Sequence, residues 1–200
     1  RNLYFKALIK YMRKIILSII VLSLLNISSD YSQKPTLKND NMIFNFNSDN
    51  LLRNWSIVDD DVMGGISSSN IVVNKNGMGL FSGHVSTKNN GGFSSLRHQF
   101  KLVDISEYKS FVIRVKGDGK NYQFRVKSNL NEYHSYKYEF ETNNTWQNIE
   151  IQFNQLQPTF RGRMLNIPSF SNVTLQEICF LISNKIEEDF SLEINYVKIQ

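Results

Sequence analysis

From Phe111 to Phe153, apolar and polar side chains alternate at every second residue, and this pattern restricts the fold more than any other feature. Phe111, Ile113 and Val115 alternate with Arg114 and Lys116. Tyr122, Phe124 and Val126 alternate with Gln123, Arg125 and Lys127. Tyr136, Tyr138 and Phe140 alternate with Lys137, Glu139 and Glu141, and Ile149, Ile151 and Phe153 with Glu150 and Gln152. A period of two puts one face of an extended chain in a core and the other in water. These four segments are expected to pair in succession as an antiparallel sheet covered on one side. The unbroken apolar run Ile178–Ile182 predicts a central strand, and Leu192, Ile194 and Tyr196 predict a last one. Upstream, Ile71–Val73 and Leu80–Phe81 flank Asn76-Gly77, a hairpin signal. From Met42 onward there is no long helical stripe. The expected fold is all-β, an antiparallel β-sandwich of jelly-roll type. Residues 154–174, with Pro158, Pro168 and Arg161-Gly162-Arg163, read as a long loop at one end of it.

The first 29 residues have another character. Arg1, Lys6, Lys10, Arg13 and Lys14 precede the uncharged run 15–25, and small or polar residues follow. This is the layout of a signal peptide, with Met12 a plausible start. Eleven apolar residues fall short of the roughly 20 that a spanning helix needs. The expected organisation is a signal-like helix at 1–29, cleaved or kept as an anchor, a polar linker at 30–41 and a domain at 42–200. It predicts an exported protein of the periplasm or cell envelope, membrane-anchored if the leader stays. The five leader cations account for the whole formal charge of +5, since the other 18 basic side chains face 18 acidic ones. A nucleic-acid binder needs an excess of positive charge, so that class is set aside.

Two glycine pairs punctuate the first half. Gly64-Gly65 follows the acids Asp59, Asp60 and Asp61, and Gly91-Gly92 precedes Phe93, Ser94, Ser95 and Arg97. Such pairs serve tight turns or allow a ligand to approach the backbone, and both readings stand. The aspartates suit turn capping or calcium, although they lack the ligand spacing of an EF-hand. His84, His98 and His134 have no paired spacing for a metal. Cys179, the single cysteine, lies in an apolar run and reads as a buried free thiol. Glu139, Glu141 and Glu150 would form a carboxylate pair only if their strands shared a face. Arg114, Lys116, Arg125 and Lys127 read as one basic face on two adjacent strands, either a partner surface or a solvated face.

Several of these segments together resemble the complex I intermediate-associated protein 30 family. Trp55 precedes V-D-D-D-V-M-G-G-I-S at 58–67, and G-G-F-S-S-L-R follows at 91–97. Further on stand R-V-K-G-D-G-K at 114–120, Y-E-F-E-T at 138–142, Trp146, P-T-F-R-G-R at 158–163 and L-E-I-N-Y-V-K-I at 192–199. The resemblance implies a galactose-binding-like β-sandwich and a non-enzymatic, chaperone-like role. Named members help respiratory complex I assemble by holding membrane-arm intermediates. It implies no cofactor and a protein partner, with membrane-associated respiratory subunits the expected class. An exported carbohydrate-binding module of the same fold is the alternative. Carried over by motif, the partner-binding or loop-shaping residues are Trp55, then Asp60, Met63, Gly64, Gly65 and Ser67, then Gly92, Phe93, Ser95 and Arg97. Arg114, Lys116 and Gly117 follow, and Arg161, Gly162 and Arg163 close the set. Arg97 and Arg161 or Arg163 are expected to meet the Asp60 loop at one edge of the sandwich. Asp59 stands where the family often has asparagine, and the export-type leader differs from the mitochondrial setting of the named members.

Overall fold

Thirteen strands build the domain in the computed structural model, which describes residues 41–46, 52–171 and 173–200, without the side chains of Val62 and Met63. In chain order they are β1 (Met42–Asn45), β2 (Trp55–Asp59), β3 (Ser68–Val73), β4 (Gly79–Val85), β5 (Ser94–Asp104) and β6 (Ser110–Lys116). Then come β7 (Asn121–Lys127), β8 (Ser135–Glu141), β9 (Gln147–Gln152), β10 (Gln157–Phe160), β11 (Arg163–Met164), β12 (Thr174–Ile182) and β13 (Glu188–Ile199). One sheet runs β3-β4-β13-β6-β9, with β1 also on β13. The other runs β11-β10-β8-β7-β12-β5-β2. Every pairing is antiparallel. The leader at 1–29 and nearly all of the linker lie outside the described residues.

The four alternating segments form strands, as expected, but do not make one sheet. β7 pairs with β8, setting Arg125 opposite Lys137. β6 pairs with β9 in the other sheet, setting Ile113 opposite Ile149. Alternation determines which face turns inward. It is silent about the sheet, because the inner faces of both layers need the same apolar pattern. The chain changes layers at Gly117-Asp118-Gly119, so Arg114 and Lys116 are not on the sheet that carries Arg125 and Lys127.

The core lies between the layers. Phe111 of β6 meets Phe124 of β7 with ring centroids 5.4 Å apart. Phe46, Phe81, Leu96, Phe180, Leu192 and Ile194 are buried with them. Each such side chain contributes about 1.5–3 kcal/mol on burial, which must offset the entropy of ordering the chain. β12 lies between β7 and β5, as its apolar run foretold. β3 and β4 form the hairpin at Asn76-Gly77, where the Asn74 side chain accepts the amides of Asn76 and Met78. The stretch 154–174 is a correction. It holds a short hairpin, β10–β11, which extends the seven-stranded sheet. Arg161-Gly162 forms its tip, both at positive φ, 48° and 75°.

Candidate functional site

Asp60 is the centre about which both glycine pairs close. It opens the short 3-10 turn Asp60–Met63, and its carboxylate is buried. Oδ1 accepts the Ser67 amide at 3.0 Å. Oδ2 accepts the Ser67 hydroxyl at 2.6 Å and the amides of Gly92 at 2.5 Å and Phe93 at 3.3 Å. A Cβ added to Gly65 would overlap this carboxylate, and one on Gly91 would stand 2.5 Å from Oδ2. One glycine of each pair is therefore there for close approach. Gly64 ends the turn and Gly92 brings the second loop in. Burial pushes the Asp60 pKa up, but the Ser67 hydroxyl and the three amides outweigh it, leaving the pKa below 3.8. Asp59 ties the same loops, accepting Ser69 N and Oγ at 2.9 Å and Ser94 Oγ at 2.6 Å. Asp59 and Asp60 thus tie separate segments together, with no side-chain bond capping the turn itself, and among the described residues no three His, Cys, Asp or Glu side chains converge on a metal position.

The expected contact of Arg97 or Arg161 with the Asp60 loop is not made. Hydroxyl and amide donors already surround the carboxylate, so no guanidinium is needed there. Arg97 reaches Ser95 Oγ at 3.4 Å and lies 3.9 Å from Glu177. Ser95, fully buried, donates in turn to Val58 O at 2.8 Å. Arg161 lies over the Phe160 ring, 5.3 Å from its centroid. Both arginines face a groove on the outer side of the seven-stranded sheet.

That groove, about 430 Å³, combines the second glycine loop with residues of the strands β5, β7, β8, β10 and β12. Gly92 and Phe93 form one wall, and Tyr133, Phe160, Arg161 and Gly162 another. Arg97, Glu177, Cys179, Arg125 and Lys127 lie along the floor. The register sets Arg97, Cys179, Arg125 and Lys137 side by side across β5, β12, β7 and β8. Arg125 donates through Nε and Nη2 to Gln123 Oε1, at 2.9 and 2.6 Å. Among the described residues no carboxylate lies within ion-pair distance of it. Burial is the main cause that lowers its pKa; Cys179 and Glu139 oppose this and Arg97 adds to it. Glu177, buried, is also bonded to Gln99 at 2.7 Å. Cys179 is buried and free, but on the groove face of β12. Burial pushes its thiol up to about 11 against the pull of Arg97 and Arg125, so it is a neutral thiol at ordinary pH.

The other motif residues serve elsewhere. Trp55 stacks on His98 at 4.7 Å and packs against Phe44 and Phe46, as core rather than surface. The Met63 side chain lies outside the described ones. Arg114 lies 5.2 Å from the Trp146 ring centroid and donates to Asn148, and Lys116 pairs with Glu193 at 3.2 Å, all on the six-stranded sheet. Gly117 packs against Thr142 where a Cβ would clash. Arg163 is exposed on β11. Glu150 lies on the other sheet from Glu139 and Glu141, so the three do not share one face, and Glu139 pairs with Lys137 at 2.7 Å on the exposed side of β8. The residues carried over by motif left out Gly91, although the 91–97 motif begins with it, and the motifs did not reach Arg125, Lys127, Tyr133, His134 or Glu177. Arg125 and Lys127 carried a signal in the alternation, but their convergence on Arg97 depends on β12 lying between their strands.

The family model described as complex I intermediate-associated protein 30 (CIA30) matches residues 44–194. A relative from Caenorhabditis elegans, "Probable complex I intermediate-associated protein 30, mitochondrial", is 25% identical over 179 residues, covering 78% of this chain and 53% of its own. The Caenorhabditis briggsae protein of the same name matches with the same identity and coverage. The chain thus spans about half the length of the curated relatives it matches. Among solved structures, a family 11 carbohydrate-binding module from Clostridium thermocellum, in complex with a β-1,3-1,4-mixed-linked tetrasaccharide, has a TM-score of 0.60 at 18% identity. The match covers 79% of this chain and 93% of that one. At that identity the likeness is one of fold, and it agrees with the two-layer sandwich described above.

Proposed function

Since the chain belongs to the complex I intermediate-associated protein 30 family, we propose that it is a non-enzymatic assembly factor that holds a protein partner against the groove of its seven-stranded sheet. The relatives' names supply the class of partner, subunits of a respiratory complex in an unfinished state. The observation that carries the reading is the groove's charge: among the described residues, Arg97, Arg125, Lys127 and Arg161 line it with one carboxylate, Glu177. A cationic groove of this kind suits docking and orienting an acidic partner. In this proposal the protein works in the cell envelope with a membrane-associated partner, and the signal-like pattern of residues 1–29 is what supports that location. Affinity purification of the tagged full-length chain from its source cell, with mass spectrometry, tests the reading. Respiratory-complex subunits are expected with the wild type and are lost with Arg97→Glu/Arg125→Glu. Equal recovery with both proteins would remove the groove from the interaction, and envelope glycans in place of subunits would overturn the assembly role.

One observation favours the alternative, a carbohydrate-binding module. Tyr133 presents a ring 64% exposed at the groove wall, beside Phe160 at 37%. A ring so placed can stack on a sugar. Titration calorimetry with a neutral mixed-linked glucan oligosaccharide decides the point. Saturable binding that Tyr133→Ala abolishes would move this reading to first place.

A further inference from the structure

The groove floor carries more positive charge than this chain pairs. Arg97 has a loose ion pair with Glu177 at 3.9 Å, made through the oxygen that Gln99 does not use. Arg125 is half-buried, and among the described residues its hydrogen-bond partner is the neutral Gln123 side chain. A guanidinium has five N–H donors, so most of its capacity points elsewhere. Lys127 gives one bond to the Glu132 carbonyl oxygen, at 2.7 Å. Across Cys179, Arg97 and Arg125 repel each other, whereas Lys137, directly opposite Arg125, is paired with Glu139 at 2.7 Å. Like charges in that register destabilise a sheet unless an anion comes between them. His134 lines the same groove, with both ring nitrogens buried and without a hydrogen-bond partner.

We propose that this groove receives an acidic, extended peptide segment of the protein partner, with carboxylates on alternate residues meeting Arg125 and Lys127. Arg125 and Lys127 are two residues apart on β7, both in the groove. Side chains on one face of an extended peptide repeat every two residues, or roughly 6.5–7 Å, so a peptide running along β7 matches their spacing. Arg97, two strands away at roughly 9.5–10 Å, meets a third acid or the peptide's carboxyl end. Bidentate guanidinium–carboxylate bonds would set the segment's register. The aromatic wall fits a peptide better than an acidic sugar chain. Phe160 has Arg161 over its ring and Tyr133 set edge-to-face at 5.2 Å, so the two rings do not lie in one plane as a continuous platform for a sugar chain. The inference rests on the protein-partner reading above.

The test uses the purified full chain in mild detergent and fluorescence anisotropy of short labelled peptides. The probes are alternating glutamate–serine, alternating glutamine–serine and a labelled oligogalacturonate. The glutamate peptide is expected to bind, the glutamine peptide at least about ten-fold more weakly, and binding should weaken as salt rises. Arg125→Gln and Lys127→Gln should each weaken it by about ten-fold while circular dichroism shows a folded protein. Lys75→Gln, in the exposed β3–β4 turn, should not. Equal binding of both peptides, or equal loss with Lys75→Gln, overturns the proposal. Failure of every acidic probe overturns it too, yet leaves the assembly reading to the purification experiment. Binding of oligogalacturonate alone overturns the proposal and counts against the protein-partner reading as well.

Discussion

Replacing Asp60 with asparagine tests the centre of the glycine-loop motif. The side chain keeps its size and loses one acceptor oxygen and its charge. In the native protein Oδ2 accepts three bonds and Oδ1 one. The asparagine carbonyl can keep the Oδ2 position, which leaves its amide group facing the Ser67 N–H. One buried donor then goes unpaired, a loss of about 1–3 kcal/mol, and the three remaining bonds lose their charge assistance. The expected destabilisation is about 2–4 kcal/mol, or roughly 5–15 °C in Tm for a domain of this size. Urea denaturation followed by circular dichroism measures it. Wild type should also lose stability in strong acid. The folded pKa is depressed, so the Asp60 contribution is complete above pH 3.8 and is lost as pH falls through the lower folded value. A variant melting within about 1 °C of wild type would refute the idea that this carboxylate holds the two loops together.

Two further perturbations follow from the same packing. Gly65→Ala puts a methyl group where the Asp60 carboxylate lies and should cost about 1–3 kcal/mol in a denaturant titration; a neutral result would mean the two loops are looser than described. His98, stacked on Trp55, is pushed down to about 4 by burial, with the Asn54 backbone partly opposing. Its stability contribution is complete above the ordinary 6.5 and is lost as pH falls toward the folded value, by about 3 kcal/mol over the whole window. Repeated urea titrations should show His98→Phe losing less stability than wild type between those pH values, and parallel curves would contradict the assignment.

The strands were legible because alternation follows from burial, and the hairpin at Asn76-Gly77 because its turn chemistry is local. The assignment of β6–β9 to two sheets was not legible. Phe111 and Phe124 both point inward whichever layer holds them, and only long-range pairing decides. The glycine pairs had the same ambiguity. Gly65 and Gly91 are needed because Asp60 fills the space beside them; Gly65 meets it within one local turn, but Gly91 comes from a segment some thirty residues on, a contact no local pattern announces. His98 and Trp55 were read as strand and motif residues, yet their neighbours Phe44 and Phe46 come from a segment that no local pattern joins to them. Arg125 carried a plain polar-face signal. Its importance depends on β12 bringing it beside Cys179 and Arg97, which is topology rather than pattern.

The expected Asp60–Arg97 ion pair and the groove as it stands are mutually exclusive uses of the same charges. Such a pair would have closed the loops with a guanidinium and withdrawn it from the sheet surface. The chain instead stabilises the ionised Asp60 with a hydroxyl and three amides, which carry no net charge. Arg97 is thereby left on the groove floor beside Arg125. The Gly92 and Phe93 amides that complete the Asp60 shell belong to the loop that walls this groove. Fixing that wall from behind pre-organises the groove without drawing on its cations, so less ordering remains to oppose binding. Disturbing Asp60 should therefore weaken ligand capture through the wall, while disturbing Arg125 should weaken it through charge. Their salt dependences differ: the Asp60→Asn loss should persist at high salt, and the Arg125→Gln loss should shrink.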